Sequence, residues 1–219
     1  MDINWHGNAC VRIRTRQAAL VMDPTDKSDG FDMGRPSADI VTVSRHHPQH
    51  DYIAGVRGEP IVIDGPGEYE IRGLQLYGLA SPLSRTEGEH GEQAGLPERN
   101  TAFLVEAEGL HIAHLGGGCA VPGADGAELL SNVDILVVAI DGDEAVDPEA
   151  AARTVRNLEP KIVIPVSYPG PNGGEPAGVL AAFLAATGLT AGEPLPKLTI
   201  QARGLGEEQR VVLLEARRA

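Results

Sequence analysis

The sequence predicts an α+β protein, a four-layer αβ/βα sandwich in which two β-sheets pack face to face with helices outside. Three observations carry this. The first half consists almost wholly of short segments with alternating or apolar character, separated by turn residues. The second half repeats that style and adds two helical segments. Residues 133–140 and 162–166 are continuous apolar runs, the kind found in strands covered on both faces.

Taken in order, residues 3–5, 10–15 and 18–22 read as strands, divided by Gly7-Asn8 and Arg16-Gln17, with Asp23-Pro24 ending the third. Residues 26–36 are polar and read as a loop. Further strands are expected at 39–43, 60–63, 68–71 and 74–79, with Gly65, Gly67 and Gly73 in the turns between them. The long polar stretch 81–99 has no apolar period and reads as a loop beside the site or at the surface. Residues 101–107 and 110–114 form a hairpin turning at Glu108-Gly109. Asp147 is a natural N-cap, and Pro148 a first-turn proline, for a helix over 147–158 whose Ala151, Val155 and Leu158 share one stripe. A second helix over 176–187 stops at Gly188. Strands at 198–201 and 210–215 close the chain. The two halves form one domain, residues 1–219, with an internal two-fold style.

Composition removes several classes of function. At 42% hydrophobic and 22% charged, the chain resembles an ordinary globular protein. No apolar run reaches the roughly 20 residues of a membrane helix. The opening Met1-Asp2-Ile3-Asn4 lacks the features of a signal peptide, so a cytoplasmic location is expected. In a reducing cytosol Cys10 and Cys119 are expected as free thiols. A net charge of −13 argues against nucleic acid as partner, because phosphates select basic surfaces. A homo-oligomer is left open.

The chemistry centres on Ser44-Arg45-His46-His47-Pro48-Gln49-His50-Asp51, which directly follows the strand at 39–43. Around it stand Trp5-His6-Gly7-Asn8-Ala9, Val21-Met22-Asp23-Pro24, Ala38-Asp39-Ile40-Val41, Gly65-Pro66-Gly67-Glu68-Tyr69, Asn100-Thr101-Ala102-Phe103, His114-Leu115-Gly116 and Lys161-Ile162-Val163-Ile164-Pro165. In these segments, taken in order over essentially the whole length, the chain resembles the small lactonase-like branch of the metallo-β-lactamase superfamily, the branch of the L-ascorbate-6-phosphate lactonases. The resemblance implies the metallo-β-lactamase fold. It also implies one or two metal ions at the mouth between the sheets, held by a His-x-His-x-Asp-His motif, a mid-chain histidine, a bridging aspartate and a late histidine. Such ions supply hydroxide near neutral pH and polarise a carbonyl or phosphoryl group.

Laid on that pattern, His47, His50 and His114 stand at ligand positions, and four other positions depart from it. Arg45 replaces the first histidine, Gln49 the motif aspartate, Gly117 the bridging aspartate and Ser167 the late histidine. Asp23 matches a residue that orients a ligand. The first metal position then keeps His47 and His114, and the second keeps His50 alone, against the three or so protein ligands of a catalytic zinc. Arginine offers no lone pair. A unit charge about 4 Å from another interacts at about 4 kcal/mol for an effective dielectric near 20, and a divalent ion doubles that repulsion. Substitute ligands are Asp51, Cys119, Asp141 and Asp143, with His46 facing away in an extended segment. Gly117 would resist a restored side chain if it sat at positive φ. His6 and His111 read as structural.

Two functions follow. In the first, dinuclear catalysis is lost, no metal or cofactor is tightly bound, and the chain serves as a binding or assembly module, with a pocket lined by Arg45, His47, His50 and His114 that suits a small anionic metabolite. In the second, a rebuilt site with one zinc ion hydrolyses a lactone, ester or phosphate-bearing metabolite.

Overall fold

The computed structural model describes residues 1–27, 30–82, 99–118, 120–141, 146–168 and 176–216. The first sheet is built from β1 (Asp2–Trp5), β2 (Val11–Arg14), β3 (Ala19–Met22), β4 (Ile40–Thr42), β5 (Ile61–Ile63) and β12 (Leu198–Thr199), in the order β12-β1-β2-β3-β4-β5. The second contains β6 (Gly67–Ile71), β7 (Leu74–Pro82), β8 (Arg99–Ala107), β9 (Leu110–His114), β10 (Ile135–Ala139), β11 (Ile162–Val166) and β13 (Arg210–Val211), in the order β13-β11-β10-β9-β8-β7-β6. Both sheets are mixed. In the first, β3, β4 and β5 run parallel and the remaining pairs antiparallel. In the second, β9, β10, β11 and β13 are parallel while β6 to β9 form an antiparallel meander.

The inner faces meet in an apolar core. Ile3, Trp5, Ile13, Leu20 and Met22 from one sheet pack with Leu76, Phe103, Val105, Ile112, Val137 and Ile164 from the other. The outer face of the second sheet is covered by α2 (Pro148–Leu158) and α3 (Pro176–Thr187), with Leu136, Val138 and Val163 against Ala151, Val155 and Phe183. Because β10 and β11 are covered on both sides, every one of their residues is buried, which explains their unbroken apolar sequence. A short helix, α1 (Ala124–Leu129), precedes β10. Over the first sheet the outer layer is thinner. There Val21, Val41 and Val43 pack with Met33, Val56 and Ile53, and the last belongs to a single 3-10 turn, Ile53–Gly55.

Local chemistry sets the element ends. Asp147 caps α2, its Oδ1 accepting from Ala150 N at 2.7 Å. The helix closes at Glu159 in the left-handed region. The β8–β9 hairpin turns through Glu108 and Gly109, both at positive φ. The loop expected over 81–99 yields at its ends to strand, with β7 running to Pro82 and β8 starting at Arg99; residues 83–98 lie outside those described.

Candidate functional site

The parallel strands deliver the polar residues to one end of the sandwich. Asp23 follows β3, Ser44 and Arg45 follow β4, His114 ends β9, and Ser167 follows β11. The centre of the arrangement is Asp23. It is buried completely and held at φ +49, a conformation in which aspartate is one of the few tolerated side chains. Its Oδ1 accepts from Ser44 N at 2.7 Å, and its Oδ2 accepts from Ser44 Oγ at 2.6 Å and from His50 Nδ1 at 2.8 Å. Burial alone would push this carboxyl up. The charge and hydrogen bond of His50, the nearby His114 and the Ser44 hydroxyl outweigh it, so Asp23 titrates below the usual aspartate range.

With Nδ1 fixed on Asp23, His50 turns its Nε2 toward Gly117. A Cβ built on Gly117 would lie 2.9 Å from His50 Nε2 and 3.1 Å from Arg45 Nε, so both side chains crowd the space beside Gly117. Gly117 is not at positive φ. That conformation belongs to Gly116, φ +72, where a Cβ would stand 2.4 Å from Ser44 Cβ. What opposes a side chain at 117 is therefore the His50 and Arg45 side chains. His47 is half-buried, with its ring 6.1 Å from that of His50 and its Nδ1 accepting from Gln49 N at 3.3 Å.

His114 plays a different part. It is buried, its Nε2 donates to Ala9 O at 2.8 Å, and its Nδ1 accepts from Gly116 N at 3.1 Å. The second bond leaves the proton on Nε2, so the ring is neutral and both nitrogens are used inside the protein. Burial lowers its pKa, against an opposing pull from Asp23. His114 thus ties β9 to the Asn8-Ala9 turn. The same turn takes Ser167, whose N donates to Asn8 O at 3.0 Å and whose φ is +54. Next to it Tyr168 stacks on Trp5 at 4.9 Å, with its hydroxyl pushed up to about 12 by burial.

Of the substitute ligands, the two that lie among the described residues do not join His47 and His50 in a cluster that could hold an ion. Asp51 lies 3.7 Å from the exposed His46, which itself reaches toward Asp64. Asp141 follows β10 at the same end of the molecule. Cys119 and Asp143 lie outside the described residues. His6 is buried with Nδ1 on Met33 O at 2.8 Å, and His111 stands beside Glu106 and Asp134 at the opposite end. Two residues escaped the sequence reading: Ser44, which holds Asp23 with both backbone and hydroxyl, and buried Asn100, whose Nδ2 donates to Leu115 O at 2.9 Å. A polar residue directly after an apolar strand, as Ser44 is, was the available signal.

A metal ion does not fit this donor set. His114 has no free lone pair, Gly117 brings no donor, and Arg45 brings only N–H groups to the side of His50 Nε2. Among the described residues, no three His, Cys, Asp or Glu side chains stand where they could hold one ion.

Comparison with known proteins gives a consistent fold. A family profile described as "Beta-lactamase superfamily domain" matches residues 2–167. A UPF0173 protein of Pyrococcus furiosus is 28% identical over 185 residues, covering 77% of this chain and 83% of the relative. A UPF0173 metal-dependent hydrolase of Lysinibacillus sphaericus is 24% identical over 198 residues, covering 77% and 85%. Among solved structures, a candidate Zn-dependent hydrolase of the metallo-β-lactamase superfamily from Thermotoga maritima superposes with a TM-score of 0.73, at 25% identity over 98% of each chain.

Proposed function

The chain belongs to the β-lactamase superfamily, and from that premise we propose that it is a member of the lactonase-like branch in which dinuclear metal catalysis has been lost and an anion-binding pocket kept. The observation that carries this reading is the engagement of His114. Once both its nitrogens are committed to Ala9 and Gly116, the inherited first metal position is left with His47 alone and the second with His50 alone. Arg45 supports it further, because a guanidinium on the His50 side of Gly117 repels a divalent ion and attracts a carboxylate or phosphate. In this reading the binding groups are Arg45, His47, Gln49 and His50 around Gly117, with His50 held from behind by Asp23. Its ligand is a small anionic metabolite.

A second reading draws on Asp23 and His50. A carboxylate on Nδ1 with Nε2 turned to the mouth is how metal-binding histidines are usually oriented. The relative from Lysinibacillus sphaericus is itself described as a metal-dependent hydrolase. A one-metal hydrolase would need two further donors beside His50.

Metal content separates the two. Protein purified without added metal, then measured by plasma mass spectrometry and titrated with zinc, is expected to carry far less than one ion per chain and to show no saturable uptake. About one zinc per chain, together with zinc-dependent ester or lactone hydrolysis, would overturn the proposal in favour of the rebuilt site.

A further inference from the structure

The far end of the sandwich carries a second cationic feature that the histidine end does not use. The register fixes its place. Val11 pairs with Trp5 and Met22 at the end bearing Asp23, whereas Arg14 pairs with Asp2 and Ala19 at the other. There an open cavity of about 720 Å³ lies between the end of β2, the β8–β9 turn and the segment after β12. Its volume falls in the range of roughly 300–1,000 Å³ typical of metabolite sites. A smaller hollow of about 360 Å³ shares Arg14, Thr15 and Arg16 with it and extends to Arg12.

The charges in this cavity do not cancel. Two carboxylates line it, and each already has its cation. Glu108 accepts from the Met1 amine at 3.0 Å and from Arg16 N at 2.8 Å, with Arg16 Nε at 3.4 Å. Asp2 accepts from Lys197 Nζ at 2.9 Å and from Thr199 Oγ1 at 2.7 Å. Both acids titrate below their ordinary values, as partnered carboxylates do. Arg14 and Arg203 line the same cavity and are exposed, and their guanidinium groups make no hydrogen bond or ion pair with a described residue. The Gln201 side chain stands beside them. In a chain of net charge −13, two guanidiniums that no described carboxylate pairs with, in one hollow, form a local exception to the surrounding field.

We propose that this cavity is a second anion site, independent of the histidine end, taking a small phosphate-bearing metabolite through Arg14 and Arg203. Phosphate fits better than a single carboxylate. One arginine fork fills both oxygens of a carboxylate, whereas a tetrahedral phosphate offers oxygens to two forks arriving from different directions. Gln201 supplies a neutral donor to the same group.

The test uses the full chain and inorganic pyrophosphate, titrated calorimetrically at constant ionic strength. Because the histidine end could also hold an anion, the background is Arg45→Gln. Saturable binding is expected to persist there, and to weaken at least about tenfold, or about 1.4 kcal/mol, when Arg14→Gln and Arg203→Gln are added. Each single change should weaken it by a smaller factor, which keeps the test valid should the combined variant fold poorly. Thermal melts of the variants are expected to match the parent, since both side chains are exposed. Three outcomes would overturn the proposal: no saturable binding by the wild type, binding retained after both arginines are changed, or binding already lost in Arg45→Gln. The last would assign all anion binding to the histidine end and leave the reading of that end intact.

Discussion

At the scale of single residues, the decisive group is one whose position was legible and whose role was not. The spacing of His47 and His50 and the context of His114 could be read from the chain. Which hydrogen bonds His114 makes could not, because both partners, Ala9 O and Gly116 N, are backbone atoms, and the first is 105 positions away. If the ring is structural, His114→Ala leaves a buried carbonyl and a buried N–H unpaired and opens a cavity. Denaturant unfolding should then show a loss of about 2–4 kcal/mol in metal-free protein. A ring that served only as a metal ligand would cost almost nothing without metal. Restoring the four altered positions together (Arg45→His, Gln49→Asp, Gly117→Asp, Ser167→His) tests the site from the other side. The second metal position would gain carboxylates at 49 and 117 and a histidine at 167 beside His50, and the first would gain a histidine at 45 beside His47 and share the carboxylate at 117, so each reaches about three ligands without His114. Equilibrium dialysis should therefore find saturable zinc uptake by the restored chain; no uptake would mean that the backbone frame does not bring these positions together. Gly117→Asp alone should bind none, since the new carboxylate meets the Arg45 guanidinium, 3.1 Å from where its Cβ begins.

At the scale of elements, what could be read locally agrees well with what forms. β9, β11 and α3 span the segments expected, and α2 follows directly from its cap at Asp147. In each case the deciding forces act within a few residues: a capping side chain, a left-handed turn, or an apolar run. The helix α1 and the 3-10 turns were not foreseen. They are too short to show a period, and they exist because the chain must cross between strands. The loop over Gly116-Gly117 shows how an element is constrained from outside. Gly116 combines φ +72 with contact distances of 2.4 Å to Ser44 Cβ and 2.5 Å to Asn100 Oδ1 for any added Cβ. Gly116→Ala is accordingly expected to destabilise the protein by more than Asp147→Ala, which removes one cap worth about 1 kcal/mol. Urea midpoints of the two variants, measured side by side, decide the order. A Gly116→Ala chain as stable as the parent would mean that the loop is not held against Ser44 and Asn100 as described.

At the scale of the whole molecule, the two-sheet architecture was predictable because both halves carry a strand period. The thin outer layer on the first sheet was not, since a covering of loop and 3-10 turn leaves no periodic trace. The same architecture buries a neutral histidine at one end of its sheets, and that has a consequence for stability against pH. The folded-state pKa of His114 is lowered, with burial as the main cause. Its contribution is therefore fully present above the unfolded value near 6.5 and is lost as pH falls from there toward the folded value. The lost stability can accumulate at no more than about 1.4 kcal/mol per pH unit for one proton. The carboxyl of Asp23, also lowered, adds a second loss only below the ordinary aspartate range near 3.9. Acidification also relieves the repulsion of a chain at −13, which acts in the opposite direction, so the raw pH profile mixes the two. The comparison that isolates the histidine is wild type against His114→Gln, whose amide can still donate to Ala9 O but does not titrate. Melting curves from pH 7 to pH 5 should show the wild type losing stability more steeply than the variant. Parallel profiles across that window would mean that His114 keeps an ordinary pKa in the fold, and that its ring is not locked neutral between Ala9 and Gly116.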